Sequence, residues 1–226
     1  MNFTRRQFNC VAIAALGSTV LPAFAADLVR GRDYDHIDPT QPGDDPAKIE
    51  VLEFFSYACP HCKDLNPLVA RWLTTLPKDV AFKRVPVGWG RAAWTNLARL
   101  YYALEATGDL KRLDDAVFRA IHDERVSLFS EKTIADWVAR RGIDAKRFAT
   151  AYDSVSTRTM LARSEELTRN YKVEGVPLLT VDGGYAVTAL AAKGFADYLA
   201  ITAGLIGLAR SARQQNTRAK AAKSSR

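Results

Sequence analysis

Two cysteines separated by two residues, Cys59 and Cys62, are the side chains in this sequence whose type and spacing could do chemistry. They lie where a β-rich apolar segment, 49–56, passes into a helical pattern over 59–76. Such a pair could be a structural disulfide, part of a zinc site or a redox-active dithiol. A disulfide this short closes a small ring and removes little entropy from the unfolded chain, so it would stabilise the fold poorly. With three histidines and no second C-x-x-C motif, a closed four-ligand zinc site is hard to assemble.

Redox catalysis is the interpretation that the position of the motif favours. The first cysteine lies at the start of a helix, where free N–H groups and the helix dipole stabilise an anion. His61, between the cysteines, can add a hydrogen-bond donor or a positive charge. Both effects lower the pKa of Cys59, and the thiolate is the attacking species. Each pKa unit below ambient pH makes the disulfide more oxidising by about 30 mV. Cys62, one turn further along, is predicted to be the buried resolving partner.

The surrounding pattern predicts an α/β fold. A second strand over 80–87 follows the first helix, which makes the two strands parallel. Asp182-Gly183-Gly184 predicts a hairpin between strands 176–181 and 185–188, followed by a helix over 194–208. The result is a βαβ unit and a ββα unit around a central sheet, separated by an all-helical insertion. The predicted helices of that insertion are 92–106, 111–122, 131–141, 145–153 and 156–171.

Two segments resemble the DsbA family of periplasmic thiol:disulfide oxidoreductases. Residues 51–62, with the sequence VLEFFSYACPHC, are similar to the active-site segment of that family, and Gly175-Val176-Pro177 resembles its cis-proline loop. The resemblance extends over about residues 26–208. It implies a thioredoxin-like fold with an inserted helical domain.

The resemblance also implies roles for individual residues. Cys59 corresponds to the nucleophile that forms mixed disulfides with substrates, and Cys62 to the resolving cysteine. Pro60 and His61 correspond to the dipeptide that tunes the redox potential. Pro177 is expected to be cis and close to the cysteines, with Val176 offering backbone groups to a bound peptide.

Glu53 is an acid within an otherwise apolar strand, which is costly unless it is paired or protonated. Lys83, in the middle of the neighbouring strand, is the predicted partner. The family has a buried acid–lysine pair beneath its cysteines, and these two positions match it. The resemblance therefore implies proton transfer to or from Cys62. The alternative is that both side chains reach solvent at strand ends.

The N-terminal residues 1–25 have the pattern of an export signal peptide. Arg5 and Arg6 precede an apolar stretch that is too short for a permanent membrane helix, and Ala23-Phe24-Ala25 fits a cleavage site. The two arginines also resemble a twin-arginine signal, and an ordinary Sec signal is the alternative. Cleavage would remove Cys10 and two positive charges, which lowers the net charge from +7 to +5.

The C-terminal residues 210–226 carry six of the remaining positive charges and no acid, and they are predicted to be a disordered basic tail. The body, 26–209, then has a net charge of −1, which does not support nucleic-acid binding. The predicted domains are a thioredoxin-like domain formed by 26–90 and 172–209, and an inserted helical domain at 91–171.

The function predicted from these features is that of a periplasmic dithiol oxidase acting through a Cys59–Cys62 disulfide. Its substrates would be unfolded exported proteins with free thiols. The resemblance implies a DsbB-like membrane quinone reductase as reoxidant, and no metal or organic cofactor is expected. A monomer is expected. The alternatives are a reductase or isomerase of the same fold, or a peptide-binding chaperone without redox activity.

Overall fold

The computed structural model describes residues 28–188 and 193–224. The predicted signal peptide, including Cys10, lies outside the described residues. Within them, five strands and seven helices follow one another along the chain. Their bounds are β1 Tyr34–His36, β2 Ile49–Phe55, α1 Pro60–Leu73, β3 Val80–Pro86, α2 Ala92–Thr107, α3 Leu110–His122, α4 Glu131–Arg140, α5 Ala145–Tyr152, α6 Val155–Asn170, β4 Leu178–Val181, β5 Tyr185–Val187 and α7 Phe195–Ser224.

The strands form one mixed sheet in the order β1-β5-β4-β2-β3. β2 pairs in parallel with β3 and antiparallel with β4, and each of its seven residues is buried. This confirms the prediction of a central strand covered on both faces. The short edge strand β1, which pairs with β5, was not predicted, because three residues are too few to show a periodic pattern.

Alternating side chains of β2 face two different layers. Ile49 and Val51 pack in a cluster with residues of α1 and α7, whereas Leu52 and Phe54 pack with Tyr171 at the end of α6. A third cluster lies within α2–α5 and extends to the end of β2 and to both cysteines. The cysteines therefore lie at the junction between the sheet and the helices that follow β3.

Five consecutive helices, α2–α6, occupy the interval between β3 and β4. Each begins and ends within one residue of its predicted bounds, because strong 3.6-residue periodicity and capping residues mark them. Ser130 caps α4 and Ser154 caps α6 through side-chain bonds to backbone N–H groups. The division of the chain into two domains stays a prediction.

The prediction of a disordered tail from residue 210 onward is wrong for the described part of it. α7 continues without interruption to Ser224. Arg210 Nε lies 2.8 Å from Asp79 Oδ2, and Arg213 pairs with Asp182 and donates to the Pro46 carbonyl oxygen at 2.7 Å. Alanine, glutamine, lysine and arginine are strong helix formers, and adding residues to an existing helix avoids the cost of nucleation. The sequence predicted a helix over 194–208, but the composition of 210–226 did not show that this helix continues into the basic segment. None of the helices described here is long and apolar enough to cross a bilayer.

We expect Arg213→Gln to loosen the end of α7. Arg213 joins the later turns of α7 to the sheet region through Asp182, and a partly exposed pair of this kind contributes about 0.5–1 kcal/mol. Backbone amides at 214–224 should therefore exchange with deuterium about 2- to 5-fold faster, as measured by hydrogen exchange and mass spectrometry. Arg218→Gln removes the same side chain from an exposed position and is the control. Equal acceleration in both variants would contradict the anchoring role of Arg213.

Candidate active site

The two cysteines occupy the start of α1, directly after the buried strand β2. Cys59 is the N-cap residue, with extended backbone angles, and Pro60 is at the first helical position, where its missing N–H costs nothing. Both cysteines are free thiols. Cys62 is fully buried and Cys59 is 7% exposed, whereas Pro60 and His61 are exposed. The outer position of Cys59 and the inner position of Cys62 agree with the sequence prediction.

The loop before β4 covers Cys59 from the other side. The Val176–Pro177 peptide bond is cis, as the sequence resemblance implies. The Cys59 thiol donates to the carbonyl oxygen of Val176 at 3.3 Å. Val176 and Pro177 are half-buried. The sequence-predicted loop and the sequence-predicted dithiol, more than a hundred residues apart, are thus brought into contact.

The two thiols have opposite pKa shifts. A hydrogen bond from the Cys62 thiol is the largest cause that lowers the pKa of Cys59 to about 6, and the N–H groups of Cys62 and His61 and the charge of His61 add to it. Burial raises the pKa of Cys62, as do its hydrogen bond to Cys59 and the negative charges of Cys59 and Glu53. The sequence predicted the direction for Cys59, but it did not identify Cys62 as the main donor. The reduced pair therefore holds its first negative charge on Cys59.

Glu53 lies beneath the cysteines and is fully buried. Burial raises its pKa, and the neighbouring Arg84 charge opposes this effect without reversing it. Arg84 Nε lies 2.8 Å from Glu53 Oε2. The N–H is not directed at the oxygen, and neither carboxylate oxygen of Glu53 has a hydrogen-bond partner among the described residues. The carboxyl group thus keeps hydrogen-bonding capacity close to Cys62.

The predicted pairing of Glu53 with Lys83 is wrong. In the parallel register, Lys83 is opposite Leu52 and Arg84 is opposite Glu53. Because side chains alternate along a strand, Lys83 lies on the other face of the sheet. There its Nζ is 2.7 Å from Glu50 Oε2 and 2.6 Å from Asp44 Oδ2. Lys83 therefore has no contact with the cysteine site.

Arg84 connects the sheet to helix α3. Its Nη1 donates to both carboxylate oxygens of Asp114, at 2.9 and 3.0 Å, and its guanidinium lies 3.8 Å from the centre of the Phe55 ring. Asp114 also accepts a 2.7 Å hydrogen bond from the hydroxyl of Tyr57. Glu53, Arg84, Asp114 and Tyr57 form a buried polar network, which we call the Arg84 network.

Sequence reasoning missed three of the four residues in the Arg84 network. Strand alternation places only one of the adjacent cations, Lys83 or Arg84, on the face of Glu53, but choosing between them requires the pairing register. Asp114 lies on a helix distant in sequence, and nothing in the pattern distinguishes it from an ordinary surface acid.

Sequence reasoning also missed Tyr198 of α7, which lies outside the Arg84 network. Its phenol accepts a hydrogen bond from the Leu179 N–H at 2.9 Å. Burial raises the pKa of this phenol, and the charges of Glu53 and Cys62 add to the increase.

Helix α3 forms one side of the site. His122 Nε2 lies 2.8 Å from the backbone oxygen of Tyr57, two residues before Cys59. The neighbouring Asp123 forms an ion pair with Lys63 of α1. Within residues 28–188 and 193–224, no three histidine, cysteine or carboxylate side chains are grouped as a metal site requires. The arrangement is that of a dithiol with one readily ionised member.

We expect Arg84→Leu to destabilise the protein by about 3–5 kcal/mol, because it leaves the fully buried carboxyl group of Glu53 and the partly buried one of Asp114 without their cation. Lys83→Leu is the comparison variant for the neighbouring cation. Its side chain is 38% exposed, but it leaves the buried Glu50 without that partner, so we expect a smaller loss of about 1–3 kcal/mol. Urea denaturation measures both changes. The double variant Glu53→Gln/Arg84→Leu should recover part of the loss. Equal losses for the two single variants would contradict the assignment of Arg84 as the partner of Glu53.

The reduced protein should become more stable relative to its oxidised form as pH rises from about 6 to 9. The folded pKa of Cys59 is about 6 and the ordinary value is 9.0, so the unfolded chain binds more protons in this window. The contribution of Cys59 is therefore complete by about pH 9 and lost as pH falls through 6, with an upper limit of about 4 kcal/mol. Above pH 9 the raised pKa of Cys62 acts in the opposite direction. Denaturant unfolding of the reduced and oxidised forms measures the difference. A difference independent of pH would contradict the low pKa.

His61→Ser should raise the pKa of Cys59, because it removes a positive charge that stabilises the thiolate. The ultraviolet absorbance of the thiolate during a pH titration measures this pKa. His36→Gln, on the distant strand β1, is the control and should leave the titration unchanged. An unchanged midpoint in His61→Ser would show that the backbone donors and Cys62 alone account for the shift.

Comparison with known proteins agrees with this geometry. A family model for the DSBA-like thioredoxin domain matches residues 73–200. The thiol:disulfide interchange protein DsbA of Bordetella pertussis is 39% identical over 197 residues, which cover 87% of this chain and 93% of the relative. The protein of the same name from Azotobacter vinelandii is 34% identical, with 89% and 94% covered.

Solved structures show the same fold. The crystal structure of Pseudomonas aeruginosa DsbA superposes with a TM-score of 0.79 at 33% identity and covers 84% of this chain and 98% of that chain. Reduced DsbA1 from Neisseria meningitidis has a TM-score of 0.75 at 26% identity, with 84% and 99% covered. The α/β thioredoxin-like fold predicted from the sequence is confirmed. From its dithiol, its cis-proline loop and these similarities, the chain belongs to the DSBA-like thioredoxin domain family.

Proposed function

We propose that this protein is a thiol:disulfide oxidoreductase that introduces disulfide bonds into exported proteins through Cys59 and Cys62. The observation that carries the proposal is the asymmetry of the two thiols. Cys59 has a low pKa and a contact with the cis-proline loop, and Cys62 is buried with a raised pKa. A stable Cys59 thiolate favours the reduced dithiol, which makes the disulfide a good electron acceptor.

In the first step, a substrate thiolate attacks the Cys59 sulfur of the Cys59–Cys62 disulfide. The new bond is a mixed disulfide between substrate and Cys59, and the sulfur of Cys62 leaves with the electron pair. Because burial makes a Cys62 thiolate unfavourable, this sulfur must gain a proton. Glu53, whose pKa is raised by burial, is the nearby acid that supplies it.

In the second step, another thiolate of the same substrate attacks the substrate sulfur of the mixed disulfide. The substrate disulfide forms and Cys59 leaves as a thiolate. Its low pKa makes it a good leaving group. Two substrate thiols have then lost two electrons and two protons. The electrons have reduced the Cys59–Cys62 disulfide to a Cys59 thiolate and a Cys62 thiol. One proton replaces the one that Glu53 gave to Cys62, and the other is released to solvent.

Substrate positioning is assigned to the cis-proline loop. Val176 and Pro177 are half-buried beside Cys59, so an extended peptide could lie across the loop with its cysteine at the sulfur. Exposed Pro60 and His61 form the opposite edge. These roles follow from position and from the resemblance of the loop to that of the family.

The proposed compartment is the periplasm, reached after removal of residues 1–25 by the Sec or the twin-arginine route. The proposed reoxidant of the dithiol is a DsbB-like membrane quinone reductase. The protein is proposed to act as a monomer, with its own disulfide as the only redox group and no organic cofactor or metal.

Single cysteine replacements test the mechanism. Cys59→Ser should abolish the oxidative refolding of a reduced disulfide protein, because no sulfur remains for the substrate to attack. Cys62→Ser should instead accumulate a mixed disulfide with the substrate at Cys59, detectable by mass spectrometry under nonreducing conditions. Refolding that survives Cys59→Ser would mean that a chaperone activity, and not disulfide exchange, assists folding.

The redox potential tests the direction of electron flow. Equilibration with glutathione should give a potential clearly less negative than that of thioredoxin, about −270 mV. His61→Ser should shift it to more negative values, by about 30 mV for each unit by which the pKa of Cys59 rises. A potential near that of thioredoxin would favour a reductase and contradict the oxidase assignment.

A further inference from the structure

The end of α7 is a basic helix that projects from the sheet region. We call residues 210–224 the basic extension. It carries five cations and no acid, and every residue from 214 to 224 is exposed. At 1.5 Å per residue, these last eleven residues extend for about 16 Å. The match to the family model ends at residue 200, so the extension lies outside the part of the fold that the family model describes.

The cations of the extension fall into two groups. Arg210 and Arg213 are held by Asp79 and Asp182. Arg218, Lys220 and Lys223 have no ion-pair partner among the described residues. A single positive charge near a helix C-terminus is explained by the helix dipole, whose effect is limited to the last turn. That effect accounts for Lys223, and it leaves Arg218 and Lys220 unexplained.

The side chains of the extension do not suit a specific protein interface. Such interfaces depend on buried aromatic or large apolar anchors. Beyond Leu208 the extension contains only alanine, serine, threonine, asparagine and glutamine besides its cations. Relative to Arg213, Lys220 and Lys223 are rotated around the helix axis by about 20° and 80° in one sense, and Arg218 by about 140° in the opposite sense. Cations distributed in this way are better suited to an extended anionic surface than to one specific binding pocket on a partner protein.

We propose that the basic extension binds an anionic lipid surface. Binding requires only charge attraction at the headgroups, because the extension has no apolar face to insert between acyl chains. The ion pairs of Arg210 and Arg213 with Asp79 and Asp182 keep the helix in a fixed direction relative to the sheet. The free cations then bring the thioredoxin-like body close to the membrane surface without an anchor. This binding does not depend on the cysteines.

Vesicle binding by the mature chain, beginning at Ala26, tests the proposal. We expect binding to vesicles of phosphatidylglycerol and phosphatidylcholine at about 0.01 M salt, where the Debye length is about 30 Å, and little binding to phosphatidylcholine alone. The variant Arg218→Gln/Lys220→Gln/Lys223→Gln keeps helix-forming side chains. Each cation near a surface contributes about 5-fold, or about 1 kcal/mol, so the triple variant should bind about 100-fold more weakly.

The matched control removes three cations elsewhere. Lys111→Gln/Lys146→Gln/Arg169→Gln changes exposed side chains of α3, α5 and α6 and gives the same net charge. It should retain the vesicle affinity of the unmodified chain within about 3-fold. An equal loss in the control would show that net charge alone drives binding and would overturn the proposal. Retained binding in the extension variant would also overturn it.

Two further measurements distinguish lipid binding from binding to an acidic protein and from a role in disulfide exchange. Binding to soluble polyglutamate but not to the anionic vesicles would assign the extension to an acidic protein and overturn the lipid assignment. Oxidation of a reduced peptide in solution should be the same in the extension variant and the unmodified chain, because these residues lie outside the cysteine site. Failure of the lipid proposal is therefore distinguishable from failure of the proposed oxidase function.

Discussion

The site depends on keeping a thiolate stable in a place that is almost fully buried. Cys59 is 7% exposed, so water contributes little to the solvation of its charge. The first turn of α1 replaces that solvation with the Cys62 thiol and the N–H groups of His61 and Cys62. All of these donors come from residues within three positions of Cys59. The short spacing of the motif is therefore a requirement of charge stabilisation, in addition to a requirement for closing the disulfide.

The Arg84 network also influences the charge of the cysteine site, through Glu53. A carboxylate at Glu53 would disfavour negative charge at the sulfur of Cys62, and burial raises the pKa of Glu53 so that it can carry a proton. Arg84 limits this effect, and its own burial is made tolerable by contacts with Glu53, Asp114 and the Phe55 ring. Because Asp114 belongs to α3 and Arg84 to β3, the same ion pairs hold the helical segment against the sheet. The guanidinium of Arg84 therefore contributes both to the packing of α3 against the sheet and to the pKa of Glu53.

Features that depend on hydrophobic periodicity or on a short motif could be predicted from the sequence. The buried strand β2, helices α2–α6 and the dithiol at a helix start are properties of adjacent residues, so their bounds and roles could be predicted. The Glu53–Arg84 pair depends on the register between two strands, and a shift by one residue exchanges Lys83 for Arg84 on the relevant face. Asp114 and Tyr198 enter the site only through tertiary packing. The basic tail was mispredicted because its composition is typical of disorder, whereas its helicity continues from the packed part of α7.

Helix α7 shows how one element can connect separate parts of the molecule. Its apolar residues, such as Leu199 and Leu205, pack in the cluster that covers one face of β2. From the same helix, Tyr198 binds the Leu179 N–H beneath the cysteines, and Arg213 fixes the later turns to Asp182 between β4 and β5. The direction of the basic extension is therefore determined by the same sheet that positions the dithiol. A surface that binds the extension would hold the body close to it, because no flexible linker separates the free cations from the packed turns of α7.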